Sequence, residues 1–388
     1  MAYMEDRVQL IATAVFGVEA VVARELKHLG YEDTITEDGK VTFTAPVSAI
    51  CRANLWLRCA DRVFLKMGEF EAKTFEQLFE GTKALPWEDW LTADAVFPVT
   101  GSCVRSTLMS ISDCQSIIKK AIVERLKKKY RLERFPENGP RYKVVFWILK
   151  DVVILGMDTS GDGLHKRGYR RRTTPAPLKE TLASALLLIS RWTPEKPLMD
   201  PFCGSGTIPI EAAMMGLNLA PGLNRSFDAQ YWANVSPALW EQAVEEGCDL
   251  ANREKQLQIF GYDFDEDAID ACRFHAREAE VDHAIHFQVR PVKEASSRFE
   301  YGVVVTNPPY GERMGDKAQN AALYGEMSDT FKKNLETWSF YVITSDLAFE
   351  QHFGRKADKK RKLYNGGILC YLYQFYGPKP RSFQNIRP

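Results

Sequence analysis

Residues 8 to 45 contain two β-rich runs with an amphipathic stretch between them. The runs, Val8 to Ala14 and Lys40 to Ala45, predict strands. Gly17 to Leu29 places apolar side chains three and four residues apart, which predicts a helix with one buried face. That face consists of Val18, Val21, Val22, Leu26 and Leu29. The pattern therefore predicts a small strand, helix, strand unit at this end of the chain.

A second group of patterned segments lies between residues 95 and 157. Ala95 to Val99 predicts a strand, and Ser112 to Lys128 predicts an amphipathic helix whose exposed side is strongly basic. Tyr142 to Leu149 and Val152 to Met157 are β-rich runs separated by Lys150-Asp151. Two residues suffice for a tight turn, so these runs predict a β-hairpin, although its turn lacks the preferred glycine.

From Lys196 onward, short apolar runs alternate with amphipathic segments. Such alternation predicts a parallel sheet wound with helices on both faces. A long insertion, Leu217 to Glu254, precedes the second strand, and a final pair of strands is expected at Gly367 to Tyr371 and Tyr373 to Gly377. The other predicted elements are strands 198–200, 258–262, 285–289, 302–306 and 340–345 and helices 208–215 and 266–279.

Length and composition bound the class of protein. At 388 residues the chain exceeds the size at which a single core stops growing, so two or three domains are expected. No apolar run approaches the roughly 18 residues of a transmembrane helix, and Met1 to Arg7 carries both charge signs instead of a basic signal-peptide start. We therefore expect a cytoplasmic protein.

Cysteine and histidine spacing argues against a metal site. The 8 cysteines form no C-x-x-C pair, so neither a zinc ribbon nor a dithiol redox motif is indicated. His275, His283 and His286 are close in sequence, but no cysteine or carboxylate ligand accompanies them at metal spacing. We expect these histidines at the surface and no bound metal.

Two motifs carry candidate chemistry. Asp200 to Thr207 is a Gly-rich turn that follows an apolar run, as in a cofactor-binding loop, although such a loop alone is weak evidence. About a hundred residues later, Asn307-Pro308-Pro309-Tyr310 closes the apolar run Gly302 to Thr306. It offers an amide oxygen, a rigid carbonyl and an aromatic face, which are the groups needed to hold a planar, amino-bearing base.

The net charge of zero conceals segregated charge. Residues 119–150 contain eleven Lys/Arg against three Asp/Glu, residues 161–180 six against two, and residues 353–362 six against one. Any one block alone is equally consistent with a solvated helix face. Three blocks beside a base-binding motif favour a phosphate-binding surface. The residues expected to contact nucleic acid are Lys119, Lys120, Lys127, Lys128 and Lys129 and the basic stretches 165–172 and 355–362.

The order and separation of the two motifs resemble the class I methyltransferases, which use S-adenosylmethionine and modify exocyclic amino groups of bases. Phe16 to Leu26 resembles the ferredoxin-like segment of RNA-modifying enzymes that carry a THUMP domain, and residues 45–158 resemble the THUMP module itself. Leu164 to Arg170, 176–183 and Asn224 to Phe227 resemble THUMP-bearing bacterial 23S rRNA guanine methyltransferases. The same family has also been described as adenine-specific DNA methylases.

This resemblance implies a domain order and a fold. We expect a ferredoxin-like segment at 1–45, a THUMP RNA-binding domain at 45–158, a linker at 159–177 and a methyltransferase domain at 178–388. The first two form an α+β region. The last is expected to be Rossmann-like, an α/β fold whose doubly wound, mostly parallel sheet has an antiparallel edge.

The resemblance also implies roles for the cofactor residues. Asp200 is expected to reach the ammonium group of S-adenosylmethionine, and Asp263 to accept hydrogen bonds from its ribose hydroxyls. Gly204 and Gly206 allow close approach, and Thr207 helps to start the helix. Asp265 is expected to cap the helix that begins near Glu266 instead of binding a ligand. Gln288 to Pro291 lacks the acid that this family often places near adenine, which leaves Gln288 as a substitute.

Asn307, Pro308 and Tyr310 are the expected catalytic residues, acting on the exocyclic amine of a base. Guanine N2 in 23S rRNA is the leading substrate. Three alternatives stay open at this point: a tRNA guanine-N2 methyltransferase, an adenine-N6 DNA methyltransferase, and a non-catalytic RNA-binding factor. The DNA enzyme would need a domain that reads sequence, and cofactor binding would separate an enzyme from a binding factor.

Overall fold

The computed structural model describes residues 7–172, 178–309 and 317–379. The chain divides into two units, and each has its own sheet. The first unit contains the described residues up to Ala14, Val22–Leu164 and Arg225–Asp249. The second contains Val15–Val21, His165–Asn224 and the chain from Leu250 onward. No helix among the described residues is both long and apolar enough to cross a membrane.

The strands of the first unit form one sheet. They are β1 (Arg7–Thr13), β2 (Thr34–Glu37), β3 (Lys40–Pro46), β4 (Arg62–Glu71), β5 (Val99–Val104), β6 (Val144–Leu149) and β7 (Val152–Asp158). Their order is β2-β3-β1-β4-β7-β6-β5. Among these strands β5 and β6 run parallel to each other, and the remaining neighbours are antiparallel. Because β4 pairs with both β1 and β7, the N-terminal strands and the later hairpin share one sheet.

The helices along this part of the chain are α1 (Glu19–His28), α2 (Ser48–Trp56), α3 (Phe75–Ala84) and α4 (Ile111–Tyr130). The predicted N-terminal elements correspond to β1, α1 and β3. The predicted hairpin is also confirmed: Lys150 and Asp151 both have positive φ, 52° and 66°, as a two-residue type I′ turn requires. The predicted strand at Ala95 to Val99 is wrong, because β5 begins only at Val99, and Val96 makes an isolated bridge.

The long insertion of the sequence belongs largely to the first unit. It contains α7 (Pro237–Asp249), which packs against α2. Arg52 and Glu246 join these helices through two bonds of 2.6 Å. Trp232 stacks on Tyr142 with the ring centroids 4.9 Å apart and donates its indole N–H to the Arg141 carbonyl. The insertion is therefore an integral part of the first unit's core.

The second unit contains the mixed sheet expected of the methyltransferase domain. Its strands are β8 (Leu198–Asp200), β9 (Ile259–Asp263), β10 (Ile285–Val289), β11 (Val303–Thr306), β12 (Ser339–Thr344), β13 (Lys359–Asn365) and β14 (Ile368–Phe375). The order is β10-β9-β8-β11-β12-β14-β13, with the first five strands parallel and β14 antiparallel to both neighbours. The remaining helices are α5 (Glu180–Ser190), α6 (Thr207–Gly216), α8 (Glu266–Glu278), α9 (Lys317–Asn334) and α10 (Phe349–His352).

The sheet carries helices on both faces. On one face Met199, Tyr262 and Val304 join a core cluster with Tyr324 and Phe331 of α9. Side chains alternate along a strand, so the neighbours of these residues point the other way. A Cβ at position 261 would meet Pro209 of α6, which places α6 on that second face. The doubly wound fold predicted from the sequence is thus confirmed.

The final pair of strands differs from the prediction. The turn falls at Gly366-Gly367, so the strands are β13 and β14 instead of two runs that meet at Leu372. Gly366 has a φ of +62°, which favours glycine at this turn. The missed strand begins with Lys359-Lys360-Arg361-Lys362, and charged side chains are common on edge strands because they discourage further pairing.

Candidate active site

The two motifs meet at the point where the strand order reverses. β8 pairs with β9 on one side and with β11 on the other. The Gly-rich loop follows β8 and the Asn307 motif follows β11, so both lie at the carboxyl ends of adjacent parallel strands. Ligands of doubly wound sheets bind in the crevice at such a position. The sheet topology therefore brings together two motifs about a hundred residues apart.

The Gly-rich loop, residues 203–207, has the backbone that its glycines predict. Gly204 has a φ of +52°, and a Cβ placed there would meet nothing within 4 Å. Gly206 has a φ of +86°, and its Cβ would lie 3.1 Å from Cys272 Sγ. Thr207 is the first residue of α6, but its hydroxyl accepts a hydrogen bond from Arg170 and does not cap the helix. The loop thus leaves open space beside Gly204 and packs closely at Gly206.

Two aspartates lie beside this loop. Asp200, 2% exposed, accepts bonds from Thr306 Oγ1 at 2.6 Å and Phe202 N at 3.2 Å. Burial raises the pKa of Asp200 to about 7, and those bonds oppose the shift. Asp263 Oδ2 accepts the Gly204 N–H at 2.9 Å, and burial also raises the pKa of Asp263 above its ordinary value. Asp200 ties β8 to β11, whereas Asp263 supports the loop.

Asn307 presents an acceptor that the described part of the chain does not use. Its Oδ1 is buried, and no described residue donates a hydrogen bond to it. Tyr324, itself fully buried on α9, donates its hydroxyl hydrogen to the Pro309 carbonyl at 2.9 Å and so fixes the backbone after Pro308. Tyr310 lies outside the described residues. Such an acceptor costs free energy unless a ligand donates to it.

The residues present fit S-adenosylmethionine. The space beside Gly204 admits close approach of a ligand to the backbone, and the Asp263 carboxylate lies at the same loop with lone pairs left for hydroxyl donors. Phe264, which follows Asp263, is 74% exposed, so an aromatic face is available at the carboxyl end of β9. Within the described ranges, no group of three His, Cys, Asp or Glu side chains could hold a metal ion.

Sequence reasoning missed Phe264, and it misplaced His275. An aromatic residue directly after a strand-ending acid was the available signal for Phe264. His275 is 0% exposed, not at the surface as expected, while His283 and His286 are exposed. Its spacing from Ile269 and Cys272, which are buried on the same helix, would have indicated burial. The predicted cap is confirmed, because the Asp265 side chain accepts the Asp267 N–H at 3.0 Å.

The basic stretch 165–172 is not one RNA-facing block. Arg167 is 3% exposed and pairs with Glu211, which is 0% exposed. Arg170 contacts Glu180 and Thr207 inside the second unit. The prediction is therefore wrong for these two guanidiniums, because a side chain in a buried ion pair is not available to a phosphate. A count of charges along the chain cannot detect a partner 44 residues away.

The other basic stretches are more exposed. On α4, Lys120, Lys128 and Lys129 are exposed, whereas Lys119 pairs with Glu137 at 2.6 Å and Lys127 with Glu124 at 3.3 Å. On the edge strand β13, Lys359 and Lys362 are exposed, as is Lys356 before the strand, whereas Lys360 pairs with Glu350 at 2.7 Å and Arg355 with Asp358 at 3.3 Å. Both surfaces keep cations available for phosphates after intramolecular pairing.

Three family models match successive parts of the chain. Residues 9–64 match the RlmL ferredoxin-like domain, residues 72–158 match the THUMP domain, and residues 167–374 match the RMKL-like methyltransferase domain. The last match covers more than half of the 388 residues. These matches follow the order of domains that the sequence motifs predict.

Several proteins are similar to this chain over nearly its whole length. YpsC of Bacillus subtilis (strain 168), named as a proposed RNA methyltransferase, is 48% identical over 97% of this chain and 98% of its own. The ribosomal RNA large subunit methyltransferase K/L of Syntrophotalea carbinolica is 34% identical over 98% of this chain, which spans 55% of that protein. The crystal structure of SMU.472, a proposed methyltransferase complexed with SAH, is 44% identical, with a TM-score of 0.92 over 97% of this chain and 100% of that one. The chain therefore belongs to the RMKL-like methyltransferases, class I enzymes whose methyl donor is S-adenosylmethionine, and it carries the THUMP domain of their RNA-modifying members.

Proposed function

We propose that the protein transfers a methyl group from S-adenosylmethionine to the exocyclic amino group of a base in RNA, most specifically to guanine N2 in 23S rRNA. The observation that carries the proposal is the buried Asn307 Oδ1, to which no described residue donates. An amino group is a donor, and it fits an acceptor held beside a cofactor loop. The match to the K/L-type rRNA enzyme supports the choice of RNA and of the large subunit.

The chemistry requires activation of a weak nucleophile. The lone pair of an aromatic amino group is delocalised into the ring, and the amine has two hydrogens to donate. Asn307 Oδ1 and the Pro308 carbonyl accept them, which localises the lone pair toward the methyl group. Bound S-adenosylmethionine supplies an electrophilic methyl group on a sulfonium. No general base is needed before transfer, so the contribution of these residues is alignment.

The remaining site residues hold the two ligands. Asp200 bonds the cofactor's ammonium group, Asp263 accepts from the ribose hydroxyls, and Phe264 covers the nucleoside. Tyr310, which lies outside the described residues, stacks on the target base after it leaves its helix. The Tyr324 hydroxyl holds the Pro309 carbonyl and so preorganises the backbone that follows Asn307 and Pro308.

RNA binding is assigned to the THUMP region and to two basic surfaces. The first, the exposed lysines of α4, comprises Lys120, Lys128 and Lys129. The second is the exposed basic edge of β13, residues 355–362. Phosphate contacts of this kind position a substrate without reading its sequence. An rRNA substrate places the reaction in the cytoplasm.

Mass spectrometry of RNA nucleosides tests the assignment. The comparison is between 23S rRNA, tRNA and DNA from cells with and without the gene, and between cells complemented with the wild type or with Asn307→Ala. Loss of N2-methylguanosine from 23S rRNA alone, restored only by the wild type, is the expected result. Loss of N2-methylguanosine from tRNA would identify tRNA as the substrate, and loss of methyladenine from DNA would identify DNA. No change in any fraction would overturn the proposed function.

A further inference from the structure

The linker strap, residues 167–172, contacts the Gly-rich loop directly through Arg170 and indirectly through His275 of α8. Arg170 Nη2 donates to Thr207 Oγ1 at 2.5 Å. Arg172 N donates to Nε2 of His275 at 3.4 Å, and the other nitrogen of that ring, Nδ1, lies 3.1 Å from the Ser205 carbonyl oxygen. His275 therefore bridges the strap and the loop. All of these atoms lie within the second unit.

The strap is anchored before it reaches the loop. Arg167 pairs with the fully buried Glu211 of α6 at 3.4 Å, and Tyr169 donates its hydroxyl hydrogen to the same carboxylate at 3.2 Å. Ser184 of α5 donates to it at 2.6 Å. Arg170 adds a bond to the Leu178 carbonyl at 3.2 Å. Because charges this deeply buried are strongly destabilising when unpaired, the anchor fixes the strap on α5 and α6.

The partners of His275 select one protonation state. The Ser205 carbonyl can only accept, so Nδ1 must carry a hydrogen. The Arg172 backbone N–H can only donate, so Nε2 must have a free lone pair. The neutral ring with hydrogen on Nδ1 satisfies both bonds. A second proton on Nε2 would face an N–H group and break the bond to the strap.

We propose that His275 and the linker strap are positioning elements for cofactor binding: the neutral Nδ1–H form of His275 holds the Ser205 carbonyl, and through it the Gly-rich loop, in the conformation that receives S-adenosylmethionine. The inference rests on the proposed function of that loop. It also gives the basic linker a role in the catalytic domain in place of the RNA contact expected from its charge. His275 itself touches neither the cofactor nor the reacting atoms.

The electrostatics around the ring favour the same state. Burial lowers the pKa of His275 below its ordinary value, and the guanidiniums of Arg170 and Arg172 act in the same direction. The hydrogen bond that Nδ1–H donates to the Ser205 carbonyl opposes the shift. Since the folded-state pKa lies below the unfolded value of 6.5, stability is fully present above pH 6.5 and is lost as the pH falls through the folded pKa. The contact between Nε2 and the strap is therefore intact at neutral pH and weakens in acid, whereas the Nδ1–H bond to the loop is kept in both protonation states.

Two substitutions separate the two ring nitrogens. In His275→Asn the amide N–H occupies roughly the place of Nδ1, so the bond to Ser205 is kept and the bond to Arg172 is lost. In His275→Gln the amide lies near the place of Nε2, so the reverse holds. With S-adenosylmethionine as the calorimetric probe, His275→Gln should bind about fivefold more weakly than the wild type, the effect of one hydrogen bond, and His275→Asn should bind within about twofold. Equal affinity of the two variants would overturn the positioning role of the Ser205 bond.

Two further measurements keep the inference separate from the proposed function. Nitrogen-15 spectra of the imidazole in the ligand-free protein should show hydrogen on Nδ1, and hydrogen on Nε2 would overturn the inference whether or not the cofactor binds. Protonation in acid breaks only the Arg172 contact, as His275→Asn does, so the affinity of the wild type should stay within about twofold of that of His275→Asn as the pH falls; a much larger loss in the wild type would also overturn it. If the wild type does not bind S-adenosylmethionine at all, the proposed function is refuted, and so is the role of the strap in cofactor binding.

A matched control tests the strap itself. Arg171 lies between the contact residues, but its side chain is 71% exposed and pairs with Glu278 at 2.8 Å. Arg171→Gln should leave the affinity for S-adenosylmethionine unchanged, whereas Arg170→Gln should lower it severalfold, with Arg170→Lys giving partial recovery. An equal loss in Arg171→Gln and Arg170→Gln would mean that only the net charge of the linker matters. Thermal unfolding of each variant checks that the fold is retained.

Discussion

Asn307→Ala should remove catalysis without removing stability. The wild-type Oδ1 is buried, and within residues 7–172, 178–309 and 317–379 no group donates a hydrogen bond to it. Such a group costs about 1–3 kcal/mol in a folded protein. Truncation to alanine removes that cost and offsets the loss of the amide's packing. We therefore expect the free energy of unfolding to be unchanged or higher in the variant.

The loss of activity should be large. Removal of one preorganised polar contact from a transition state typically lowers the rate by about 10²–10³, or roughly 2.7–4 kcal/mol. Asn307 Oδ1 is expected to have its strongest contact when the amine becomes nucleophilic, so affinity for cofactor and RNA should be nearly unchanged. Asn307→Asp retains an oxygen acceptor and should keep more of the rate than Asn307→Ala, although the charge adds a desolvation cost.

The assay is single-turnover methylation of 23S rRNA isolated from cells without the gene, with radiolabelled S-adenosylmethionine. Asn334→Ala is the matched control, because Asn334 Nδ2 donates to the Ala295 carbonyl at 2.9 Å and serves only the fold. That control should lose stability and keep its rate, the opposite of Asn307→Ala. A normal single-turnover rate for Asn307→Ala would refute the mechanism. A strongly lowered melting temperature would refute the assignment of Oδ1 as an unused acceptor.

Four further predictions follow from the site and its surroundings. Asp263→Ala should weaken S-adenosylmethionine binding tenfold or more, about 1.4 kcal/mol per decade, and unchanged calorimetric binding would remove it from the site. Phe264→Ala should lower the same affinity without changing the melting temperature, because the ring is 74% exposed and has little packing to lose; a lowered melting temperature would contradict this. Replacing both Lys128 and Lys129 with Gln should reduce the slope of log K for RNA binding against log salt concentration, by nearly one unit for each phosphate that these lysines neutralise in the wild type. An unchanged slope would mean that the two lysines contact only solvent. The pKa of Asp200 is about 7 against an ordinary 3.8, so this carboxyl stabilises the ligand-free fold below pH 3.8 and loses that contribution as the pH rises through 7. Binding of the cofactor's ammonium group should therefore release a proton from Asp200 near pH 6.5. Calorimetry in buffers of different ionisation enthalpy should detect this release in the wild type and find it absent in Asp200→Asn.

The sequence alone determined the parallel strands and the two motifs of the second unit. β8 and β10 have the predicted bounds, and the other parallel strands differ by a residue or two. The reason is that burial on both faces gives parallel strands continuous apolar runs, which a reader of the sequence can recognise. The Gly-rich loop was also readable, because positive φ at Gly204 and Gly206 is a requirement of the backbone itself. Local rules were sufficient for these features.

Other features depended on contacts between residues far apart in the sequence. The edge strand β13 has four consecutive cations at its start, so its pattern resembled a solvated basic segment, and only pairing with β14 makes it a strand. The insertion at 225–249 lies in sequence between strands of the second sheet, yet its contacts belong to the first unit. The tertiary contacts of α7 and Trp232 decide where this segment lies, and no pattern within its own sequence indicates which residues it will contact.

The linker and the active site also combine features that the sequence determined with features that only the tertiary structure decided. The sequence by itself determined that Asn307 and Asp263 end apolar strands and that residues 165–172 are basic. Only the tertiary structure decided that Arg167 is paired with Glu211 and that His275 bridges the strap and the Gly-rich loop. The physical reason is the range of each effect: backbone conformation and hydrophobic period act over a few residues, whereas the pairing of a buried charge depends on which distant side chains the fold brings within hydrogen-bonding distance.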